Sequence, residues 1–232
     1  MKPYQHLFFD LDHTLWDFET NSQEALLVLF QEHDLEQRLK APVQDFLNAY
    51  YRINDELWSE YRQGKVTKEN LRHQRFQRAF HSFGPLEEET ILSFERQYME
   101  MAPRKTALMP GTIDLLSALK PHFELHIITN GFEETQKVKL SCSGLRPFFN
   151  LVLCSDSLGI NKPEAGIFIE ALKRTGAKRH NSLMIGDNLL TDIGGARNVG
   201  IDQVYYNPSE EPSKLKPTYE IKALKELIDL LL

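Results

Sequence analysis

The decapeptide HLFFDLDHTL, residues His6–Leu15, carries the strongest single indication of fold in this 232-residue chain. Its apolar run Leu7–Phe9 predicts a short buried strand, and two carboxylates, Asp10 and Asp12, follow directly. Side chains two residues apart in a strand point to the same face. Two acids are costly to desolvate at the end of a buried strand, whereas α/β folds bind ligands at that end. The alternative is a strand followed by an Asx-type turn in which both carboxylates are solvated.

The composition is ordinary for a soluble globular protein, with 41% hydrophobic and 26% charged residues. A formal net charge of −6 argues against a nucleic-acid polymer as partner, because binding one needs a basic face. No apolar run approaches the roughly 20 residues of a membrane helix, and no signal-peptide pattern is present at the start. The two cysteines, Cys142 and Cys154, suggest neither a disulfide framework nor a zinc site. We therefore expect a cytoplasmic protein that does not engage a membrane; the sequence does not predict its oligomeric state.

Residues 16–100 have helical periodicity and no convincing strand. Apolar residues recur at spacings of three and four after Pro42, which suits a first helical turn, and Thr67 is a candidate N-cap. The acidic triplet at 87–89 favours the start of a further helix. We predict a helical bundle at 16–100, inserted after the first strand, and a second domain made of residues 1–15 and 101–232.

From Pro110 onward, predicted helices and strands alternate, which implies βαβ units and a parallel sheet. The sequence therefore predicts an α/β fold, a Rossmann-like parallel sheet with helices on both faces, plus the inserted α-helical bundle. The later strands are predicted at 123–128, 151–154, 183–185 and 203–206. The helices are predicted at 112–119, 133–140, 164–175 and 190–199, with a final amphipathic helix carrying Ile221, Leu224, Leu227, Ile228 and Leu231.

Polar residues follow each predicted core strand. Thr129–Gly131 precedes a helix, and its hydroxyl and free N–H groups suit an anion, although a simple helix cap is the alternative. Lys162 lies in the loop after the next strand, where a single lysine is usually a solvated charge. Asp187 and Asp192 follow the fourth strand and alone would fit an N-cap with an acidic first turn.

A parallel sheet would gather these groups at one edge, and together they predict more than each does alone. Four carboxylates (those of Asp10, Asp12, Asp187 and Asp192) cannot all stay ionised beside one lysine in a partly dry cleft without a compensating charge. A divalent cation supplies that charge, and an all-oxygen donor set favours Mg²⁺. Binding of a phosphate group is favoured by each of these features: the metal, the lysine, the hydroxyl and the helix N-terminus.

These residues resemble the four ordered motifs of the haloacid dehalogenase superfamily, and the helical insertion is similar to its C1 cap. The resemblance lies in the following segments: Asp10–Leu15, Thr129–Gly131, Lys162–Pro163 and Gly186–Asp192. Residues 12–19 and 186–195 further resemble the pyrimidine 5′-nucleotidase branch. His13 departs from the pattern, because many members have glycine there.

The resemblance implies chemistry for the two acids of the first motif. Asp10 would attack phosphorus to form an aspartyl-phosphate. Asp12 would protonate the leaving alkoxide and then take a proton from the hydrolytic water. Mg²⁺ would be held by Asp10, the backbone carbonyl of Asp12 and the side chain of Asp187.

The resemblance also assigns the remaining motif residues. Thr129, the Asn130 amide and Lys162 would bind the transferring phosphoryl oxygens. Asp192 would reach the metal through water or position Lys162.

The expected function is therefore a Mg²⁺-dependent phosphomonoester phosphatase, with a pyrimidine nucleoside monophosphate as the expected small phosphorylated substrate. Alternatives within the fold are a phosphatase of phosphoglycolate or a sugar phosphate, and a phosphomutase. A 2-haloacid dehalogenase is disfavoured because such enzymes typically lack an acid two residues past the nucleophile, which Asp12 supplies. A phospho-receiver signalling domain and a catalytically silent interaction module are further alternatives.

Substrate choice is expected to depend on the insertion and its hinge, since the core motifs would contact only phosphate. A flat aromatic ring with a few polar groups would suit a pyrimidine base. For Trp16, Phe18 and Trp58, the alternative is a position in the core of the bundle. The candidates for the specificity surface are Trp16, Phe18, Trp58, Tyr61, Arg62 and Lys65.

Overall fold

The structure is a computed structural model that describes residues 4–212 and 215–232. The chain divides into two compact units, a helical unit of Glu19–Lys105 and an α/β unit of Met1–Phe18 and Thr106–Leu232. The sequence-based boundaries at residues 15 and 100 fall slightly before these. Trp16 explains the first difference, because its side chain is buried in the apolar core of the α/β unit and its backbone bridges to Leu108.

The helical unit is built from amphipathic helices whose apolar faces meet in an aromatic core. Thr67 is the N-cap of its fourth helix, as predicted, and its side chain accepts a hydrogen bond from the backbone N of Asn70 at 3.2 Å. Phe46 stacks on Phe80 with ring centroids 5.0 Å apart. The helices are α1 (Phe18–Glu32), α2 (Leu35–Leu39), α3 (Val43–Arg62), α4 (Lys68–His81) and α5 (Glu88–Met101). The five-residue α2 was not predicted, because it is too short to have a periodic pattern.

A parallel sheet of six strands forms the centre of the described α/β unit, in the order β3-β2-β1-β4-β5-β6. The strands are β1 (His6–Phe9), β2 (Glu124–Thr129), β3 (Leu151–Cys154), β4 (Ser182–Gly186), β5 (Asp202–Tyr206) and β6 (Tyr219–Ile221). In the parallel register of the central strands, Phe9 lies between Ile127 of β2 and Ile185 of β4. The segments after β1, β2 and β4 therefore leave the sheet at the same edge.

Helices cover both faces of the sheet, and the strand alternation separates the two cores. Leu7 and Phe9 contribute to one apolar cluster, whereas Phe8 contributes to the other. The first cluster includes residues of α6 (Thr112–Leu119), α7 (Glu133–Cys142) and α10 (Lys225–Leu231); the second includes residues of α8 (Ala165–Thr175) and α9 (Gly195–Asn198). No helix in the described ranges is long and apolar enough to cross a membrane.

Two local predictions differ from the structure. The segment predicted as a helix at 190–199 is helical, but it begins as a π-helical turn, Leu189–Gly194, and only the short α9 that follows is α-helical. The side chain of Asn188 accepts hydrogen bonds from the backbone N of Leu190 and of Thr191, which caps this turn. Ile221 ends the unpredicted strand β6 and does not belong to the final helix, since it pairs in register with Tyr206.

Candidate active site

A buried lysine joins two of the predicted acids at the sheet edge. Lys162 is 1% exposed, and its Nζ lies 2.8 Å from Oδ1 of Asp10 and 2.7 Å from Oδ1 of Asp192. The same Nζ also donates to the backbone oxygen of Ile128 at 2.8 Å. Asp192 is fully buried, and its Oδ2 accepts from the backbone N of Asn188. The structure therefore places Asp192 in direct contact with Lys162, one of the two roles expected for it.

Burial and charge act together on these groups. Burial raises the pKa of Asp10 to about 6, against the opposing effect of the Lys162 charge. Burial also raises the pKa of Asp187 to about 6, and the neighbouring Asp10 charge adds to the increase. Burial disfavours the charged form of Lys162, but the carboxylates of Asp10 and Asp192 outweigh burial and raise its pKa. The site therefore has more negative charge than one ammonium group balances.

Thr14 connects the loop after β1 to the end of β4. Its hydroxyl is fully buried and donates to Oδ1 of Asp187 at 2.6 Å, while the backbone N of Asp187 donates to it at 3.2 Å. Thr14 lies inside the opening stretch His6–Leu15, but its sequence context alone indicates no function for it. The contact fixes one oxygen of Asp187.

The carboxylate of Asp12 is held by donors from α7. Lys139 Nζ lies 2.5 Å from its Oδ1, and Gln136 Nε2 donates to its Oδ2 at 2.8 Å. Burial favours the neutral form of Asp12, but the Lys139 charge and both hydrogen bonds outweigh it and hold the pKa below the ordinary value. Sequence reasoning missed both α7 residues. The sequence feature that could have indicated them is their spacing of three on a helix that starts just after Thr129–Gly131. It was not used because a lysine on a helix is ordinarily solvated.

Thr129 and Asn130 lie at the end of β2, and both side chains have defined partners. The Thr129 hydroxyl accepts from the backbone N of Gly131 at 3.0 Å and from Gln136 at 2.9 Å, which leaves its own hydrogen to donate. Asn130 Nδ2 donates to the backbone oxygen of Lys162, and Asn130 Oδ1 accepts from the backbone N of Lys162 at 2.7 Å. The Asn130 side chain therefore clamps the Lys162 backbone, so a contact of Asn130 with phosphate falls to its backbone amide.

Three carboxylates form a donor set that fits a hard cation. Ligand oxygens of Asp10, Asp187 and Asp192 all lie within 4.8 Å of one another. Gly186 makes this approach possible, because an added Cβ would come 2.3 Å from Oδ2 of Asp192. Oxygen donors without cysteine or histidine are typical of Mg²⁺ and Ca²⁺ sites.

The six specificity candidates belong to different units. Trp16 and Phe18 are in the α/β unit, where Trp16 is 1% exposed; the interpretation of Trp16 as bundle core is therefore wrong. Trp58, Tyr61 and Arg62 are half-buried residues of α3 in the helical unit, and Lys65 is exposed beyond its end. The rings of Trp58 and Tyr61 meet edge to face, 5.7 Å apart.

Known proteins of one hydrolase family are similar to this chain over most of its length. The haloacid dehalogenase-like hydrolase family model matches residues 4–200. The pyrimidine 5′-nucleotidase PynA of Streptococcus pneumoniae is 35% identical over 98% of this chain and 95% of PynA. The pyrimidine 5′-nucleotidase YjjG of Escherichia coli is 34% identical over 97% of this chain and 96% of YjjG. The crystal structure of the putative HAD-hydrolase YfnB from Bacillus subtilis bound to magnesium has a TM-score of 0.90 at 32% identity and covers 99% of both chains. The chain therefore belongs to the haloacid dehalogenase-like hydrolase family.

Proposed function

We propose that this hydrolase is a Mg²⁺-dependent phosphatase of pyrimidine nucleoside 5′-monophosphates that works through an aspartyl-phosphate on Asp10. The observation that carries the proposal is the geometry at Asp10, whose carboxylate shares a buried lysine with Asp192 and lies within one carboxylate cluster with Asp187. The substrate class is supported by the names of PynA and YjjG, each about a third identical over nearly the whole chain.

In the first half-reaction, an oxygen of Asp10 attacks phosphorus. The bond between phosphorus and the ester oxygen breaks with its electron pair on that oxygen, which takes a proton from Asp12 and leaves as the nucleoside 5′-hydroxyl. The Thr129 hydroxyl, the Asn130 backbone amide and the Lys162 ammonium stabilise charge on the phosphoryl oxygens. Asp192 acts by holding Lys162.

In the second half-reaction, water attacks the phosphorus of the aspartyl-phosphate. Asp12 takes a proton from that water, and the bond between phosphorus and the Asp10 oxygen breaks to release inorganic phosphate. The sum is one ester and one water converted to one alcohol and one phosphate. Asp12 thereby recovers the proton that it gave to the leaving group.

A divalent cation fits the residues present, because carboxylate oxygens of Asp10, Asp187 and Asp192 lie within 4.8 Å of one another. Burial raises the pKa of both Asp10 and Asp187 to about 6, so a positive charge between them would be stabilising. Asp10, the backbone carbonyl of Asp12 and Asp187 would hold it. When bound, Mg²⁺ supplies positive charge that neutralises phosphoryl and carboxylate oxygens. YfnB, whose crystal structure contains magnesium, supports this choice.

The helical unit is proposed as the cap that selects the base. Trp58, Tyr61, Arg62 and Lys65 provide aromatic and cationic groups that are not part of the unit's buried core. An aromatic ring with adjacent hydrogen-bond donors suits the flat, carbonyl-rich face of a pyrimidine.

The test is phosphate release from a panel of monophosphates with Mg²⁺. We expect UMP, dUMP, dTMP and CMP to be hydrolysed faster than purine nucleotides, phosphoglycolate and sugar phosphates, and no halide to be released from a 2-haloacid. Asp10→Asn should abolish turnover while circular dichroism stays unchanged. Undiminished activity of that variant would refute the mechanism, and activity that survives exhaustive EDTA treatment would refute the metal.

A further inference from the structure

The proposed acid–base residue has two partners for which neither the family motifs nor the proposed mechanism has a use. Lys139 is only 6% exposed although it lies on a helix that borders solvent, and Gln136, one turn earlier, is fully buried. Between them they occupy both oxygens of Asp12, at 2.5 Å and 2.8 Å. Because both donors come from α7, the carboxylate is held at two points by one rigid element.

Aromatic rings enclose the lysine at this position. Its Nζ lies 4.1 Å from the ring centroid of Trp16 and 5.6 Å from that of Phe18. A cation over an aromatic face is attracted to it, most strongly for tryptophan. In the described part of the chain, Asp12 is the only carboxylate within ion-pair distance of Lys139. The two rings therefore help to hold the ammonium against Asp12, its ion-pair partner.

Gln136 is costly to the fold and therefore calls for an explanation beyond packing. Its Oε1 is buried and finds no hydrogen-bond partner among the described residues, whereas its Nε2 donates to both Asp12 and Thr129. A buried acceptor without a partner destabilises a protein, and an apolar side chain of the same size would avoid that cost. An apolar residue, however, could not donate the hydrogen bonds that connect Asp12 to the hydroxyl of Thr129.

Glycine at position 131 is required for the same contact. A Cβ there would lie 1.8 Å from Gln136 Nε2, which is inside any possible contact distance. The glycine after Asn130 therefore leaves the space through which the Gln136 amide reaches Asp12 and Thr129. This observation is independent of the ion pair and points to the same function.

We propose that Lys139 and Gln136 are positioning residues that hold the Asp12 carboxylate in the orientation needed for proton transfer to the leaving group and from the hydrolytic water. The proposal rests on the proposed function, since it assigns these residues to the acid–base step of that reaction. Trp16 and Phe18 then act by holding Lys139, which differs from the contact with the nucleobase expected for them from the sequence.

The test compares Lys139→Met and Gln136→Met with Lys137→Met, a matched control at an exposed lysine of the same helix. With UMP as substrate, we expect kcat to fall about 10- to 100-fold in the two test variants while KM stays within about twofold. Lys139→Arg, which keeps the cation, should recover a substantial part of kcat. The control should match the wild type.

The second readout uses 4-nitrophenyl phosphate, whose leaving group departs without a proton. In Lys139→Met, the first turnover should release nitrophenolate at nearly the wild-type rate, followed by slow steady-state turnover, because only the water step still needs Asp12. A variant that had lost the geometry of Asp10 would slow the first turnover as well. This pattern separates positioning of Asp12 from general damage to the site.

A slowed first turnover in Lys139→Met would overturn the proposal, and so would three other outcomes. One is a kcat of Lys139→Met and Gln136→Met within twofold of Lys137→Met, with an active wild type; the phosphatase assignment would then survive. Another is loss of the folded state in both variants by circular dichroism, which would make the contacts structural. The third is a wild type that hydrolyses no phosphomonoester, in which case the proposed function fails and this inference fails with it.

Discussion

The hydroxyl oxygen of Thr14 lies 2.6 Å from Oδ1 of Asp187 and joins the loop after the first strand to the end of the fourth. The same oxygen accepts from the backbone N of Asp187 at 3.2 Å. A threonine can satisfy both partners because a hydroxyl donates and accepts at once. The orientation of the proposed metal ligand Asp187 therefore depends on a residue of the loop after the first strand.

Thr14→Val should weaken the response to magnesium. The change keeps the shape of the buried side chain but removes the donor to Asp187, and loss of such outer contacts typically lowers metal affinity about 10-fold or more. The concentration of Mg²⁺ giving half-maximal activity should rise accordingly, and Mg²⁺ should raise the melting temperature less. Thr14→Ser, which retains the hydroxyl, is the control. Equal Mg²⁺ dependence in both variants would contradict the prediction.

Gly186→Ala should damage the site through Asp192. The added Cβ would lie 2.3 Å from Asp192 Oδ2, so Asp192 must move, and Lys162 loses a partner that holds it. Overpacking of this kind costs about 1–3 kcal/mol in the free energy of unfolding, measured by urea denaturation, and kcat should fall at least tenfold. Gly166→Ala is the matched control, because its Cβ would meet only the Ile160 side chain, at 3.1 and 3.3 Å. If Gly186→Ala were as active as Gly166→Ala, the proposed dependence of Lys162 on Asp192 would be contradicted.

Lys162→Met should destabilise the protein in a pH-dependent manner. Removing one partner of a buried ion pair typically costs about 3–5 kcal/mol, because uncompensated charge is left behind. Here Asp10 and Asp192 would both be left, and their pKa values, already raised by burial, would rise further. Both acids would then bind protons more tightly when folded than when unfolded, so the loss of stability should be larger at pH 8 than at pH 5. Chemical denaturation at the two pH values is the measurement, and a pH-independent loss would contradict it.

His126→Phe should make the protein less sensitive to acid. His126 is 2% exposed beside Phe8 and pairs with His6 at 3.2 Å, and burial followed by the His6 charge lowers its pKa to about 4. Below pH 6.5, the ordinary pKa of histidine, His126 binds a proton in the unfolded chain but not in the folded protein. The contribution of the unprotonated His126 to the free energy of unfolding is therefore complete above that pH and is lost as the pH falls. Between pH 7 and pH 5, His126 should lower the free energy of unfolding by up to about 2 kcal/mol.

The free energy of unfolding of His126→Phe should therefore fall less between these pH values than that of the wild type. His122→Gln, at an exposed histidine, should leave the wild-type pH dependence unchanged. Parallel pH profiles for wild type and His126→Phe would show that this histidine does not contribute to acid sensitivity.

Local patterns were sufficient for most of the secondary structure. The helix predicted at 112–119 has those bounds in the structure, and Thr67 caps its helix as predicted. Both depend on contacts within one turn of chain, which periodicity and capping chemistry report directly. The strand β6 escaped prediction because three residues are too few for a period and its pairing partner β5 lies a long loop away.

At the site, the sequence predicted which strand ends would bring acids and a lysine together but not how the side chains would pair. Asp10, Lys162 and Asp187 come together because the strands that precede them are parallel and belong to one sheet. The alternation of helices and strands along the sequence already implied that the sheet is parallel. The contacts of Thr14, Gln136 and Lys139 depend on burial by residues distant in sequence. A lysine on a helix is read as solvated unless the fold shows the rings of Trp16 and Phe18 around it.

The order of apolar runs and acids along the chain was thus enough to establish a parallel α/β sheet and the edge at which its acids collect, because strand period and sheet handedness are local rules. Tertiary packing determined which group each of these acids contacts. Asp12 faces α7, Asp10 faces Lys162 and Asp187 faces Thr14, since the burial of each pair depends on elements brought together across the sheet. Such pairings minimise unpaired buried charge, a property of the folded molecule and not of any single segment.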